Sequence, residues 1–139
     1  MASTALHRLE TIGFRVCGQW QLQEDGKPKI SLAALARETN VLYAFVCDGD
    51  VVYIGKTTKS LRARLYGYQN PGPTQTTNKR GNVTIREALE AKKLVEVVAL
   101  ADHGLLKYGG FHMNLAAGLE DDMLKQLKPA WNKRLGSDA

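Results

Sequence analysis

Residues 41–57 have the sequence VLYAFVCDGDVVYIGKT, and this stretch decides the fold. β-Branched and aromatic residues fill 41–47 and 51–54, which predicts two strands. The Asp-Gly dipeptide at 48–49 is a strong signal for a tight turn between them. The centre of the protein is therefore predicted to be a β-hairpin, whose second strand leads into a Gly-Lys-Thr segment at 55–57.

The register of this hairpin determines where its two tyrosines lie. If Cys47 pairs with Asp50, Tyr43 and Tyr53 fall on opposite faces of the sheet. If Cys47 pairs with Val51, the two tyrosines share one face and are diagonal neighbours. Only the second register brings the two phenols together, and the sequence leaves both registers open.

Outward from the hairpin, the pattern predicts an α+β domain. Before it we expect a short helix over 3–11, a strand over 14–22, a turn over 24–28 and one or two helical turns over 31–37 capped by Ser31. After it we expect a helix over 60–68, a loop over 69–81, a helix over 82–92, a strand over 94–100, a loop over 102–113 and a helix over 114–127 that ends before Pro129. The core order β-β-α-α-β-α predicts a small mixed or antiparallel sheet covered by helices.

The length of 139 residues fits one domain with its own apolar core. We expect the main domain over 41–133, an N-terminal extension over 1–40 and a flexible tail over 134–139. No apolar run approaches the roughly 18 residues of a membrane span, and residues 1–10 lack the pattern of a signal peptide. Cys17 and Cys47 lie in apolar runs, which favours buried, reduced thiols in a cytoplasmic protein; a disulfide between them is the alternative.

The charge of the chain suits a polyanionic partner, because the net charge is +5 and the pI is about 9.3. The basic residues form two clusters, namely Lys56, Lys59, Arg62 and Arg64 in the first and Lys79, Arg80 and Arg86 in the second. Lysine and arginine near phosphates supply most of the non-specific affinity for nucleic acid. A solvated basic face is the alternative, and charge alone favours it.

Glu120 interrupts the apolar face of the last predicted helix. The other members of that face, at helical spacing, are Ala116, Leu119, Met123, Leu124 and Leu127. A carboxylate on a core-facing stripe is costly unless it is paired or binds a cation. Two interpretations stay open: an ion pair with Arg64, or a ligand for Mg²⁺ or Mn²⁺, which prefer carboxylate oxygens.

Arg64 lies on the inner side of the helix predicted after the hairpin, because it shares one face with Leu61, Leu65 and Tyr68. An inward guanidinium needs an anion, and its planar fork suits a phosphate or a carboxylate. The segment that starts at Gly55 resembles a phosphate-contacting turn, although the P-loop pattern is absent. The three histidines lack the spacing of metal ligands.

Taken together, these segments resemble the signature of the GIY-YIG nuclease superfamily. The matching pieces are Val41-Leu42-Tyr43, then Tyr53-Ile54-Gly55-Lys56-Thr57, then Leu61-x-x-Arg64-Leu65, then Leu119-Glu120, then Pro129-Ala130-Trp131-Asn132. The resemblance covers roughly residues 41–133. The first triplet lacks the family's glycine, and the stretch between Gly55 and Arg64 is one residue longer than in the repair-nuclease members.

The resemblance implies a metal-dependent endonuclease that hydrolyses DNA phosphodiester bonds. It implies that Glu120 holds a single divalent cation, Mg²⁺ with Mn²⁺ as a substitute, and that Arg64 neutralises charge on the phosphate. Tyr43 would take a proton from the attacking water or position it, and Tyr53 would orient Tyr43 or the water. A base role for Tyr43 needs nearby cations to lower the phenol pKa from about 10. Asn132 would anchor the chain after the last helix.

Further residues are expected to contact phosphate or DNA, namely Gly55, Lys56, Arg62, Tyr68, Lys79 and Arg80. Trp20, Asn70, Gln75 and Asn78 are additional candidates, since asparagine and glutamine side chains can read base edges. A restriction, mobile-element, phage or repair role, in a monomer or a homodimer, is compatible with this interpretation. The alternatives are a catalytically inactive nucleic-acid-binding module on the same fold and a structural domain with a buried Arg64–Glu120 pair.

Overall fold

The computed structural model of the protein describes residues 3–136. Its helices are α1 (Thr4–Thr11), α2 (Leu61–Gln69), α3 (Thr76–Glu90), α4 (Leu115–Leu127) and α5 (Ala130–Leu135). Its strands are β1 (Arg15–Leu22), β2 (Pro28–Leu32), β3 (Val41–Cys47), β4 (Asp50–Thr57), β5 (Val95–Ala101), β6 (Lys107–Tyr108) and β7 (Phe111–His112). The predicted α+β class with an antiparallel sheet is confirmed, and the order β3-β4-α2-α3-β5-α4 is the predicted core order.

The main sheet has five strands in the order β2-β1-β5-β3-β4. Every neighbouring pair is antiparallel, and β1 pairs directly with β5. Residues 1–40 therefore supply two strands to the same sheet as the hairpin. The sheet leaves β2 and β4 as its edge strands.

The β3–β4 hairpin combines the two registers that the sequence left open. Next to the turn, Cys47 pairs with Asp50, as in the first register. A β-bulge then shifts the pairing, so that Phe45 faces Tyr53, as in the second register. Because a shift by one residue exchanges the faces of a strand, the bulge puts Tyr43 and Tyr53 on the same face.

The two faces of the sheet bury different kinds of side chain. One, here called the tyrosine face, carries Tyr43, Phe45 and Tyr53 and is covered by α2, α3 and α5. The other, here called the aliphatic face, carries Leu42, Ala44, Val46 and Ile54 and is covered by α1 and α4. Strand β3 is buried along its whole length because it is central and covered on both sides.

The helical turns predicted over 31–37 are wrong. Residues 28–32 form β2, in which Ser31 pairs with Gln19 of β1. Leu35 has a positive φ of 63°, which no right-handed helix accommodates. Long-range pairing with β1 therefore outweighs the local helical propensity of this alanine-rich segment.

The loop predicted over 69–81 is too long, since α3 begins at Thr76. The helix continues through Gly81, where an added Cβ would lie 2.5 Å from the ring of Tyr68. Gly81, which favoured the loop prediction, therefore lies within a helix, and its missing side chain leaves room for the ring of Tyr68.

The end of the chain also differs from prediction. Arg134 and Leu135 belong to α5, and Leu135 is fully buried on the tyrosine face, so the predicted tail from 134 is wrong at its start. Residues 137–139 of that tail lie outside the described residues. The six-residue α5 was not predicted at all.

The cysteines and Trp20 lie inside the protein. Cys17 and Cys47 are free, buried thiols, and burial raises the pKa of Cys17 to about 11. Trp20 is buried against Phe45, so its suggested contact with DNA is wrong. Across residues 3–136, no helix has the length and apolar character needed to cross a bilayer.

Candidate active site

A cleft of about 690 Å³ opens where the ends of several elements meet. Its walls come from the end of β4, from Arg64 of α2, from residues 74–78 before and at the start of α3, and from the start of α4. The walls bear the cationic groups of Lys56, Lys59 and Arg64. No carboxylate of the described residues lines this cleft, so its charge favours an anionic ligand.

Behind the cleft, three tyrosines of the tyrosine face form one hydrogen-bonded cluster. The hydroxyl of Tyr68 lies 2.9 Å from that of Tyr43 and donates to that of Tyr53 at 3.1 Å. The rings are buried and meet at tilted or edge-on angles. Tyr68 is thus the centre of the cluster, and its predicted contact with phosphate or DNA is wrong because it has no exposed surface.

Gly55 makes room for this cluster. It lies on β4 directly opposite Tyr43, and it is buried. An added Cβ would lie 2.6 Å from the hydroxyl oxygen of Tyr43 and 3.0 Å from the ring of Tyr53. The predicted role of Gly55 at a phosphate is therefore wrong. The absence of a side chain at Gly55 instead leaves room for the phenol of Tyr43.

Arg64 links the tyrosine cluster to the cleft. Its Nη2 donates to the hydroxyl of Tyr68 at 2.8 Å, and its Nη1 donates to Oδ1 of Asn78 at 2.7 Å. Asn78 is held in turn by Gln75, to which its Nδ2 donates at 3.0 Å. Asn78 and Gln75 were expected only as DNA contacts, and the structure adds the role of orienting the guanidinium.

The partners of Arg64 are all neutral. The ion pairs of residues 3–136 involve other groups, so no described carboxylate neutralises this half-buried guanidinium. The proposed Arg64–Glu120 ion pair is therefore wrong. Burial alone would lower the pKa of Arg64, but the surrounding phenols raise it overall, so the group stays cationic.

Glu120 lies at the other side of the sheet, on α4, and reaches the end of β4 from there. Its Oε1 is 3.7 Å from Nζ of Lys56, longer than a direct hydrogen bond. The Glu120 side chain is 21% exposed and that of Lys56 is 49% exposed. Burial raises the pKa of Glu120, and the ammonium of Lys56 opposes that shift.

The donor set around Glu120 limits what kind of cation fits. Within residues 3–136, no group of three or more histidine, cysteine or carboxylate side chains gathers at one point. Mg²⁺ often binds through one or two carboxylates, with waters and substrate phosphates completing its shell. A partly exposed single carboxylate beside a basic cleft fits that pattern, and it does not fit a structural zinc site.

The pKa of the Tyr43 phenol is shifted in the direction opposite to the one that a base role requires. Burial raises the pKa of Tyr43 above its ordinary value, Tyr53 adds to the increase, and Arg64 opposes it without overcoming it. Burial also raises the pKa of Tyr68. In this structure Tyr43 is therefore a neutral phenol without contact to solvent, which contradicts the expectation of a cation-activated base.

Asn132 closes the outer edge of β4. Its Oδ1 accepts from the backbone N–H of Ile54 at 2.9 Å, and its Nδ2 donates to the carbonyl oxygen of Ile54 at 2.7 Å. The side chain is completely buried. Asn132 thus anchors α5 to the hairpin.

The remaining basic candidates lie at the surface outside the cleft. Arg62 is exposed on α2. Lys79 and Arg80 are exposed on α3 and border a separate depression together with Arg134. The structure therefore does not bring them together with Arg64.

This fold is also found in solved structures. A mutant of bacteriophage T4 EndoII aligns with a TM-score of 0.73 at 24% sequence identity, over 94% of this chain and 99% of that chain. Restriction endonuclease HPY188I in complex with product DNA aligns with a TM-score of 0.56 at 15% identity, over 91% of this chain and 79% of that chain. No protein-family model and no curated protein sequence matches this chain. At these identities, the likeness establishes a common fold.

Proposed function

We propose that the protein is a metal-dependent DNA endonuclease of the GIY-YIG type. The observation that carries the proposal is Arg64, a half-buried guanidinium at a basic cleft whose described partners are all neutral. A buried cation without an anionic partner is costly, and a bound phosphate would supply the missing charge. The fold shared with a restriction endonuclease supports the same assignment.

The scissile phosphate is proposed to bind in the cleft between Arg64 and Lys56. Arg64 is oriented by two hydrogen bonds, so its fork is fixed before the phosphate arrives. Charge-assisted hydrogen bonds from a fixed guanidinium stabilise the additional negative charge of the transition state. Arg62, Lys79 and Arg80 are proposed to contact the DNA backbone outside the cleft.

Glu120 is proposed to hold one divalent cation, Mg²⁺ or Mn²⁺, next to that phosphate. Such a cation, when bound, stabilises charge on the phosphate and on the leaving oxygen by several kcal/mol. Lys56 favours the ionised form of Glu120, because its ammonium opposes the effect of burial on the pKa of the carboxyl. The carboxylate is thus kept available as a ligand.

Tyr43 and Tyr53 are proposed as positioning residues. Both act through the hydroxyl of Tyr68, which accepts from Arg64. In the proposed reaction, water attacks the phosphorus and releases a proton, the bond from phosphorus to the 3′ oxygen breaks, and that oxygen takes up a proton. The products carry a 5′-phosphate and a 3′-hydroxyl, as the family resemblance implies.

The first test is plasmid cleavage with Mg²⁺, with Mn²⁺ and with EDTA. Glu120→Gln keeps the shape of the side chain and removes its charge, so we expect cleavage to fall by roughly a hundredfold or more. Asp121→Asn is the matched control, because Asp121 is the exposed neighbour on α4 and pairs with Lys125. Cleavage in EDTA, or full activity of Glu120→Gln, contradicts the metal assignment. Binding of duplex DNA without any cleavage identifies an inactive binding module instead.

A second pair of variants tests the guanidinium. Arg64→Met removes the charge but keeps an unbranched side chain, and we expect cleavage to fall roughly a hundredfold to a thousandfold. Arg15→Met, at an exposed position on β1 outside the cleft, is the control and should stay within a few-fold of the wild type. The assay is single-turnover cleavage at saturating protein, and equal losses in both variants would show that only overall charge matters.

A further inference from the structure

Residues 105–113 carry the three most exposed large hydrophobic side chains among the described residues. Leu105 is 83% exposed, Tyr108 is 81% exposed and Phe111 is 79% exposed. Leu106 and Met113 are also exposed. Exposed aromatic side chains grouped on one element mark an interaction site more often than scattered ones do.

These side chains stand on a two-stranded ribbon formed by β6 and β7. Gly109 and Gly110 connect the strands with φ values of 60° and 82°, the conformation of a tight two-residue turn. Directly paired residues share a face of a ribbon, so Tyr108 and Phe111 lie on one face and Lys107 and His112 on the other. A ribbon of this width fits into a groove of duplex DNA.

The ribbon is fixed next to the cleft by Asp102. The carboxylate accepts from the backbone N–H of Leu115 at 3.0 Å and pairs with His112 at 3.0 Å. His112 therefore faces the body of the protein, and the aromatic face points away from it. Leu115 begins α4, whose first turn lines the cleft, so the ribbon adjoins the proposed phosphate site.

The charge around the ribbon favours DNA over a second apolar surface. Lys107 is exposed on the ribbon, and the only carboxylate of 102–113, Asp102, is already engaged by two backbone N–H groups and His112. We propose that the β6–β7 ribbon enters a groove of duplex DNA beside the cleft, with Tyr108 and Phe111 against the bases and Lys107 near the backbone. This inference rests on the proposed endonuclease function and adds to it the element that holds the duplex.

The test measures the affinity for a short duplex in EDTA by fluorescence anisotropy over a series of salt concentrations. We expect the double variant Tyr108→Ala/Phe111→Ala to raise Kd roughly tenfold or more, because apolar contacts with base edges in the groove are lost. Its salt dependence should match the wild type, since no cation is removed. Lys107→Ala should instead lower the slope of log K against log salt by about one.

The matched control is Ile12→Ala/Leu94→Ala, which removes two apolar side chains that are each 49% exposed on other elements. Its Kd should equal that of the wild type, and thermal unfolding should show that every variant is folded. An unchanged Kd for the aromatic double variant overturns the inference. A change in its sedimentation mass without a change in DNA affinity also overturns it and assigns the ribbon to a second copy of the chain.

The two proposals fail in different ways. If the wild type neither binds nor cuts DNA, the proposed function and the ribbon inference fail together. If the wild type binds and cuts DNA and the aromatic double variant binds equally well, only the ribbon inference fails.

Discussion

The two faces of the sheet are built on different principles. The aliphatic face is held by side chains such as Leu42, Ile54 and Leu124, which interact through non-directional packing. The tyrosine face buries three hydroxyl groups that satisfy one another and Arg64. Volume alone determines whether a side chain fits the first face, whereas the second also requires that each hydroxyl keeps its partner.

The two faces therefore differ in which properties of the protein depend on their contacts. On the tyrosine face, folding energy and the orientation of Arg64 depend on the same hydrogen bonds. On the aliphatic face, α4 carries Glu120 and packs on the sheet through apolar side chains such as Ala116, Met123 and Leu124. We therefore expect substitutions on the tyrosine face to change stability and cleavage together, and conservative substitutions on the aliphatic face to change neither by much.

The largest effect is expected from Tyr68→Phe. The variant keeps the ring and removes the hydroxyl that joins Tyr43, Tyr53 and Arg64. Leaving buried polar groups without this partner should lower the free energy of unfolding by about 1–3 kcal/mol. Urea unfolding followed by circular dichroism measures the loss, and single-turnover cleavage should fall as well.

Its counterpart on the aliphatic face is Met123→Leu. This variant conserves side-chain volume and should lower the free energy of unfolding by less than about 1.5 kcal/mol. Cleavage should stay at the wild-type rate. Equal losses of stability and activity in the two variants would remove the distinction between the faces.

The next largest effect is expected from two glycines, where substitution by alanine should change the free energy of unfolding in opposite directions. At Gly81, on α3, an added Cβ would lie 2.5 Å from the ring of Tyr68, whereas at Gly118, on α4, nothing lies within 4 Å. Gly81→Ala should therefore lower the free energy of unfolding by about 1–3 kcal/mol. Gly118→Ala should raise it by about 0.5–1 kcal/mol, because alanine is the better helix former. Urea midpoints that move in the same direction contradict the packing argument.

The smallest effect is expected at Asp102, whose carboxylate accepts a hydrogen bond from the backbone N–H of Leu115, the first residue of α4. Hydrogen bonds from the backbone N–H groups of Gly104 and Leu115, together with His112, lower the pKa of Asp102. A lowered pKa means that the stabilisation is complete above the unfolded-state pKa, near 3.9, and is lost as the pH falls through the lower folded-state value.

Asp102→Asn should therefore be less stable than the wild type by about 1 kcal/mol near neutral pH. The difference should shrink below about pH 4, where the wild type loses the same charge. Urea midpoints measured from pH 3 to 7 test this, and a difference that grows towards low pH would contradict it.

Much of the fold was predictable because its signals are local. The Asp-Gly turn, the β-branched runs of β3 and β5, and Ser60 and Asn114 as helix caps all specify structure within a few residues. Strand β2 was missed and the first turns of helix α3 were missed, because distant contacts decide both. Strand β2 depends on pairing with β1, and the start of α3 depends on the ring of Tyr68, which packs against Gly81.

The sequence identified the charged residues of the candidate site, but not the side chains with which they interact. Arg64 and Glu120 were identified because a charge on an apolar helical face is unusual. Their partners, Asn78 and Lys56, come from other elements, so no spacing along the chain identifies them. The bulge in the hairpin was likewise hidden, although it determines that Tyr43 and Tyr53 meet.

The amide of Asn132 has a consequence for solubility. An open strand edge offers unpaired N–H and carbonyl groups to any other extended chain, and such pairing leads to aggregation. Asn132 occupies both groups of Ile54 on edge strand β4, and Gln69 accepts from the N–H of Ile30 on the opposite edge strand, β2. At one position on each border of the sheet, a side-chain amide thus occupies backbone groups that a further strand would need, which opposes the addition of another chain there.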